Sequence, residues 1–304
     1  MGKISVVINT LNEEENLPRA LASVKNFADE IVVVDMESSD RTLEIAEKAG
    51  ARVYTHKPIG YVEPARNFAI AKAEGDWIFV LDADEEVSKS LAVKLKKITV
   101  KPKADYFRIP RKNIIFGKWM KHSRWWPDYN IRFFKKGAVA WNEVIHSVPM
   151  TQGAGMDLPD KEEFAIIHHN YDSIGQFLAR MNRYTDIQAE EIIKGKTKFI
   201  WKDVITKPLA EFLGRYFAAE GYKDGLHGLA LSLLQAFSEL VVYLKVWQAE
   251  KFLEQTISLP EIETEVKGAM RQTSWWLAET KINSKGPIAS IPDKIRKKFL
   301  SKNG

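Results

Sequence analysis

The chain predicts an α/β fold in which a mainly parallel sheet carries helices on both faces, continued by a helical carboxyl-terminal region. Short apolar runs alternate with amphipathic stretches of about ten residues, the pattern of right-handed β-α-β crossovers. Those runs are Ile4–Ile8, Ile31–Asp35, Arg52–Thr55 and Trp77–Leu81. Three of them lead into amide or carboxylate side chains, at Asn9 to Glu14, at Asp35 and at Asp82 and Asp84. From Ser173 onward the apolar spacing becomes helical.

The first unit pairs the strand Ile4–Ile8 with an amphipathic helix over Leu17–Val24. In the second, Glu37-Ser38-Ser39 form a turn, Asp40 is an N-cap, and a helix over Arg41–Ala49 closes at Gly50. A helix over Pro64–Glu74 starts on its proline and stops at Gly75. In such a sheet Thr10, Asn12, Glu13, Asp35, Asp82 and Asp84 all lie at one edge, where α/β folds bind ligands. Taken singly, Asp35 and Asp40 read as turn caps, Asp82-Ala83-Asp84 as the entry to a helix over Val87–Ile98, and Arg66 as a solvated helix residue. Three strand ends agreeing, with an arginine between them, favour one anion- and metal-handling cleft.

A strand-rich stretch follows from Tyr106 to about Pro149, dense in tryptophan and basic residues. Aromatic faces pack on sugar rings and basic groups suit phosphate, so this stretch is expected to wall an acceptor. It ends at His168-His169, which on a strand point to opposite faces and so do not share one ion. Beyond it, a helix carries Phe177, Met181, Tyr184 and Gln188 and stops at Gly195. The helix Leu229–Trp247 has an apolar stripe of Leu229, Leu233, Ala236, Leu240, Leu244 and Trp247, with Ser232, Gln235 and Glu239 as its polar face. Lys202, Lys207, Arg215, Lys223 and Lys245 flank it, which predicts a monotopic membrane surface. A further helix is expected within Phe252–Trp276, and Lys285–Gly304 reads as a mobile basic tail. The expected organisation is 1–170 catalytic, 171–250 helical and membrane-surface, and 251–304 helical extension and tail.

The 304 residues include no cysteine, which excludes disulfides and thiolate chemistry, and the formal charge of +5 favours anionic partners. No charged-then-apolar leader is visible before the strand at Ile4, so no secretory signal is expected, and His227, Gln235, Glu239 and Lys245 interrupt the longest apolar run.

The ordered set Thr10-Leu11-Asn12-Glu13-Glu14, Val34 to Thr42, Ala65-Arg66-Asn67 and Leu81-Asp82-Ala83-Asp84 resembles the inverting family-two glycosyltransferases, built on a single Rossmann-like GT-A domain. The resemblance implies that Thr10, Asn12, Glu13, Asp35 and Ser38 hold a nucleotide-sugar donor, UDP being the usual carrier. Arg66 would then lie near the diphosphate, with Asp82 and Asp84 facing ribose and a Mg²⁺ or Mn²⁺ ion. Many relatives have a small residue or glycine where this chain has Met36 and Glu37.

Trp125-Trp126-Pro127-Asp128 through Arg132-Phe133-Phe134, then Trp141 to His146, is similar to the lipopolysaccharide-core β-glycosyltransferase branch. That branch carries W-x-P-D-x-x-x-R-L-F and then V-H-E, whereas here Ser147 follows His146. The match places Trp125, Trp126 and Arg132 on the acceptor side and offers Asp128 or Glu143 as the general base. His146 is a candidate third metal ligand or a structural histidine.

The implied enzyme transfers a sugar to a hydroxyl of a lipid-linked or lipopolysaccharide-core-like acceptor, peripherally on the cytoplasmic face of the cell membrane. A homo-oligomer is compatible with the sequence. A polyprenyl-phosphate glycosyltransferase is the nearest alternative and would need no base. A nucleotidyltransferase usually brings a glycine-rich basic loop after the first strand, and Asn9–Asn16 has neither glycine nor lysine. Nucleic acid is not an expected partner, because acidic strand ends repel a polyanion.

Overall fold

β-branched and aliphatic residues fill the first strand, Ile4–Thr10 (β1), and every one of its residues is buried, as a strand covered on both faces requires. The computed structural model describes residues 2–57, 63–141, 149–285 and 289–302, with backbone alone at 63, 64, 301 and 302. After β1 come Leu17–Val24 (α1), Glu30–Asp35 (β2), Thr42–Lys48 (α2), Arg52–Thr55 (β3), Glu63–Lys72 (α3) and Trp77–Asp82 (β4). Their strands run parallel in the order β3-β2-β1-β4, and the register sets Thr10 beside Asp35 and Asn9 beside Asp82.

The acidic turn after β4 does not enter a helix directly. Glu85–Val87 (β5) forms first, and Ser88 then caps Lys89–Val100 (α4) by accepting from the Leu91 amide. Next come Tyr106–Ile115 (β6), Lys118–Trp119 (β7), Asp128–Lys135 (β8), Val139–Ala140 (β9), Met150–Thr151 (β10), Gly155–Asp157 (β11) and Ile166–Tyr171 (β12). β8 pairs antiparallel with β4 and extends the parallel sheet through β6 and β12 to β5. An α/β fold with a parallel amino-terminal half is what the alternating runs predict. The antiparallel half brings β6, β8 and β12 to the same edge as the ends of β1, β2 and β4.

Alternate residues of the sheet fill two core layers. Ile4, Val6, Ile8, Phe79 and Leu81 pack with α1 and α4, while Val7, Val32, Val34, Ile78 and Val80 pack against Ala65 and Ala69 of α3 and Ala73 just beyond it. Aromatic rings lock β4 to β8: Trp77 stacks on Phe133 at 4.8 Å, and Phe79 meets the same ring edge-on at 6.3 Å.

The chain divides into two units, Met1–Trp119 with Trp125–Asn170, and Met120–Arg124 with Tyr171–Gly304. In the second, Ile174–Lys194 (α5) is capped by Ser173 and ends at Gly195. Its buried row is Phe177, Met181, Thr185 and Ala189, and Tyr184 faces outward. Asp203–Leu213 (α6), Leu226–Ala249 (α7), Leu259–Ser284 (α8) and Ile291–Lys302 (α9) follow.

Two expectations are corrected here. α7 buries Gly228, Leu231, Ser232, Ala236, Val242 and Val246, and turns Leu226, Leu233, Phe237 and Leu244 outward. Ser232 is satisfied by donating to the Gly228 carbonyl at 2.7 Å, so a nominally polar position became a packing position. The expected mobile tail is the helix α9, fastened to α8 where Lys297 pairs with Glu279 at 2.5 Å and lies over the Trp275 ring. α7 is long and apolar enough to cross a membrane by length and composition. Four of the five basic residues expected to serve it are ion-paired: Lys202 to Glu265, Arg215 to Glu211, Lys223 to Glu220 and Lys245 to Asp186.

Phe133 is fully buried between Trp77, Phe79 and Phe107. Phe133→Ala is expected to cost about 3–5 kcal/mol in denaturant unfolding. A loss below about 1 kcal/mol would show that the rings do not lock the strands.

Candidate active site

Two loops at the carboxyl ends of β1 and β2 are laced together by side-chain-to-backbone hydrogen bonds. The Asn12 amide donates to Ser38 Oγ at 2.8 Å, and Asn12 Oδ1 accepts from the Ser39 amide at 2.8 Å. The Glu13 amide donates to Thr42 Oγ1, and the Glu14 amide to Asp40 Oδ2. Asp40 also accepts from the Thr42 amide at 2.9 Å, but the N-cap of α2 is Arg41, one residue later than the expected Asp40. Asn12 and Glu37 both adopt left-handed backbone, with φ of 55° and 60°. That conformation suits glycine better than a side-chain-bearing residue. Here it aims the Ser38 amide at Asp35 Oδ2, 3.0 Å away.

Asp35 is buried, and its second oxygen has no hydrogen-bond partner among the described residues. The same holds for Thr10 Oγ1 and for both amide atoms of Asn9. Leaving a buried polar atom unpaired costs about 1–3 kcal/mol, so a group of them at adjacent strand ends suits a polar ligand. Asn9 was not singled out from the sequence; its register beside Asp82 is what brings it in.

Asp82 sits between two arginines. Oδ1 accepts from Arg66 Nη2 at 2.9 Å, and Oδ2 from Arg132 Nη2. Arg66 rests over the Trp141 ring, and Asn67 fixes that tryptophan by exchanging hydrogen bonds with its backbone. Trp141 is thereby tied to α3. Asp82 was expected to ligate a metal, yet both its oxygens are on guanidinium groups. Arg132, expected on the acceptor side, is 4% exposed and joins Asp82 to Glu85, whose Oε1 lies 2.7 Å away. Glu85 is fully buried and also accepts the Asp82 amide at 2.9 Å. Burial alone would raise the Asp82 carboxyl, but the charges of Arg132 and Arg66 hold it far below the ordinary carboxylate range. Glu85 is pushed up by burial, despite Arg132. Burial would lower Arg132, and Asp82 and Glu85 together hold it well above the ordinary value.

The network continues across β6, β8 and β12. Arg111 lies 3.5 Å from Glu85 and donates to Asp128 Oδ2 through Nη2 at 2.6 Å and Nε at 2.8 Å. Asp128 accepts further from Asn113 and Asn130, each at 3.2 Å. Asn113 donates to Asp128 and to the Trp125 carbonyl, which fixes its amide so that Oδ1 meets His168 Nδ1 at 2.7 Å. His168 Nε2 then lies 3.5 Å from Asp84 Oδ2. His169 faces the other way, 3.5 Å from Glu86, as strand alternation requires. Because Nδ1 donates to Asn113, a neutral His168 turns its lone pair toward the Asp84 carboxylate. The juxtaposition is favourable with a cation there, a proton on Nε2 or a metal ion. The pair is one imidazole and one carboxylate, with the other ring nitrogen held by an amide oxygen; no group of three or more such side chains placed to hold a metal ion occurs among the described residues.

Glu143 and His146 lie outside the described residues. Trp126 meets Trp119 edge-on at 5.3 Å, and Trp125 adjoins it before the cis Trp126–Pro127 bond. Glu85 and Asn113 escaped sequence reasoning, and Arg111 and His168 were noticed without being assigned to the site. The alternation of β6 and β12 was the available signal, since it sets Arg111 with Asn113, and His168 with Asn170, on common faces.

Parallel strands ending on these loops, with the carboxylate–arginine cluster beside them, make a GT-A-type glycosyltransferase domain with a helical carboxyl-terminal region. Residues 5–156 match the model of glycosyl transferase family 2, and the chain belongs to that family. A glycosyltransferase of Rickettsia bellii, itself uncharacterized, is 32% identical over 248 residues, 79% of this chain and 84% of that protein. The lipopolysaccharide core biosynthesis glycosyltransferase LpsC of Rhizobium meliloti is 23% identical over 253 residues, 81% of this chain and 92% of LpsC. Among solved structures, S. aureus TarS 1–349 is similar at a TM-score of 0.41 and 16% identity, covering 84% of this chain and 93% of that one.

Asp82 has a depressed folded-state pKa, so its stabilisation is complete above the unfolded value of about 3.9 and is lost as pH falls toward the folded value. Arg132→Met removes the main depressing charge. Wild type and variant should differ by about 3–5 kcal/mol near neutral pH and converge as the medium is acidified. Denaturant titrations across pH test this, and a gap independent of pH would assign Arg132 a packing role only.

Proposed function

We propose that the protein is an inverting glycosyltransferase that moves a sugar from a nucleotide diphosphate sugar, UDP-linked first, to a hydroxyl of a lipid-linked or lipopolysaccharide-core-like acceptor. The observation that carries the reading is Asp84 facing His168 across 3.5 Å beside an Asp82 clamped by Arg66 and Arg132. Asp35, Asn12, Thr10, Glu13 and Ser38 form the base and ribose end of the donor site. Arg66 supplies cationic charge where the diphosphate leaves.

In the transfer, an acceptor oxygen bonds to the anomeric carbon from the side opposite the diphosphate. The bond from that carbon to the phosphate oxygen breaks, its electron pair stays with the nucleoside diphosphate, and the hydroxyl proton passes to a carboxylate. Asp84 and His168 would hold a Mn²⁺ or Mg²⁺ ion, with His146 a further candidate, and the ion would neutralise charge developing on the leaving phosphate. Asp128 and Glu143 are the candidate proton acceptors. The oxygens of Asp128 are engaged by Arg111, Asn113 and Asn130, which gives it an organising role as well. Trp125 and Trp126 suit the sugar face of an acceptor. Likeness to LpsC and the outward apolar stripe of α7 support a membrane-borne acceptor, with the enzyme peripheral on the cytoplasmic face.

UDP and UDP-sugars are expected to raise the melting temperature, and Mn²⁺ to enlarge the shift. Asp84→Ala should erase the Mn²⁺-dependent part with the fold retained; intact Mn²⁺-dependent turnover would overturn the metal assignment, and the absence of any nucleotide effect would overturn the donor assignment.

The base is expected to be the carboxylate whose amide variant, Asp128→Asn or Glu143→Gln, lowers transfer about a hundredfold or more with donor binding kept. Near-normal turnover in both variants would exclude hydroxyl activation by either and favour a phosphate acceptor.

A further inference from the structure

α9 has the surface of a helix built to lie on an anionic bilayer. Its inner face is defined by Asp293, which pairs with Lys285 at 2.8 Å, and by Lys297, which pairs with Glu279 and covers Trp275. The opposite face carries Ile291, Ile295 and Phe299 at i, i+4 and i+8, exposed by 50%, 53% and 67%. Three large apolar side chains in one row along a helix of about 18 Å are costly to leave in water.

Charge decides what can cover them. The twelve residues of α9 include five basic and one acidic side chain. Lys294 and Lys298 border the apolar row, and neither has an ion pair among the described residues. With Lys297 they surround a hollow that also holds Ile282 and Glu279. α8 offers a useful contrast. Its outward row of Leu259, Ile262, Val266, Met270 and Leu277 is bordered by Glu263 and Lys267, paired with each other at 2.6 Å. That row is electrically neutral, and nothing in it selects an anionic partner.

We infer that α9 is an interfacial anchor that buries Ile291, Ile295 and Phe299 among the acyl chains of an anionic phospholipid surface while Lys294 and Lys298 engage headgroup phosphates. The inference uses none of the donor chemistry, and it adds to the proposed membrane-borne acceptor a second, charge-selective contact apart from α7.

The full chain is to be titrated with vesicles of phosphatidylcholine and with vesicles of phosphatidylcholine and phosphatidylglycerol. Binding to the anionic vesicles is expected to be at least about tenfold tighter and to weaken as salt rises. Lys294→Glu with Lys298→Glu, and separately Ile295→Ser with Phe299→Ser, should each weaken it about tenfold or more. Circular dichroism of both variants should be unchanged, and so should the UDP thermal shift. That shift tests the donor site by itself, so its absence in wild type would count against the glycosyltransferase reading and leave the anchor standing. Equal binding of wild type to the two vesicle types would overturn the inference, as would variants that bind like wild type. A dimer lost in the Ile295→Ser, Phe299→Ser variant with vesicle binding retained would also overturn it, assigning the row to a second copy of the chain.

Discussion

A guanidinium buried between two carboxylates organises the catalytic half of this protein. Arg132 lies on β8 beside β4 and is 4% exposed, so its charge is tolerable only because Asp82 and Glu85 face it. The interaction also works in reverse. Glu85 has no exposure, and Asp82 ends a strand whose preceding residues are buried. Without Arg132, two carboxylates would share a low-dielectric pocket. The charged cluster therefore fixes how the antiparallel strands join the parallel ones, and the Trp77–Phe133 stack reinforces the join from the apolar side.

That constraint is transmitted through a chain of ion pairs and hydrogen bonds. Glu85 holds Arg111, Arg111 holds Asp128, Asp128 and the Trp125 carbonyl fix the Asn113 amide, and Asn113 sets the tautomer of His168. The last member, His168, is thereby aimed at Asp84. Each step uses a buried or half-buried polar group, so a wrong rotamer anywhere would leave a donor or acceptor unpaired at a cost of about 1–3 kcal/mol. Pre-organisation of this kind would serve the proposed transfer, in which a diphosphate leaves without rearrangement of the site.

Much of the parallel half was legible from residue order, because covered strands require unbroken β-branched runs and their carboxyl ends require polar loops. Ile4–Thr10, Asp35 and Asp82-Ala83-Asp84 announce themselves in that way. The antiparallel half hid its chemistry. Arg132 and Glu85 are ordinary surface residue types, and only the pairing of β8 with β4 buries them together. Side chains as polar as Arg111 and Asn113 carry no local pattern that distinguishes a network from a solvated edge. In the helical half the error had a different origin. Ser232 sits on the face read as polar, but a serine that donates to its own i−4 carbonyl behaves as a small packing residue, which let α7 bury it beside Leu231 and Ala236 and turn Leu233 and Leu244 outward.

The same reasoning separates the apolar faces of the helical unit from one another. Around α7, basic residues are present in number but four of those expected to matter are matched by Glu265, Glu211, Glu220 or Asp186. A matched lysine attracts a distant anion weakly, because its field is cancelled within a few ångströms and salt screens the remainder. Binding through α7 would then be governed by apolar area and indifferent to headgroup charge. α9 differs because its inward partners, Glu279 and Lys285, neutralise inward-facing groups and leave the charges beside its apolar row unmatched. Composition alone could not reveal which of these lysines are matched. Which lysines have partners is a tertiary property, and it determines which apolar face discriminates among surfaces.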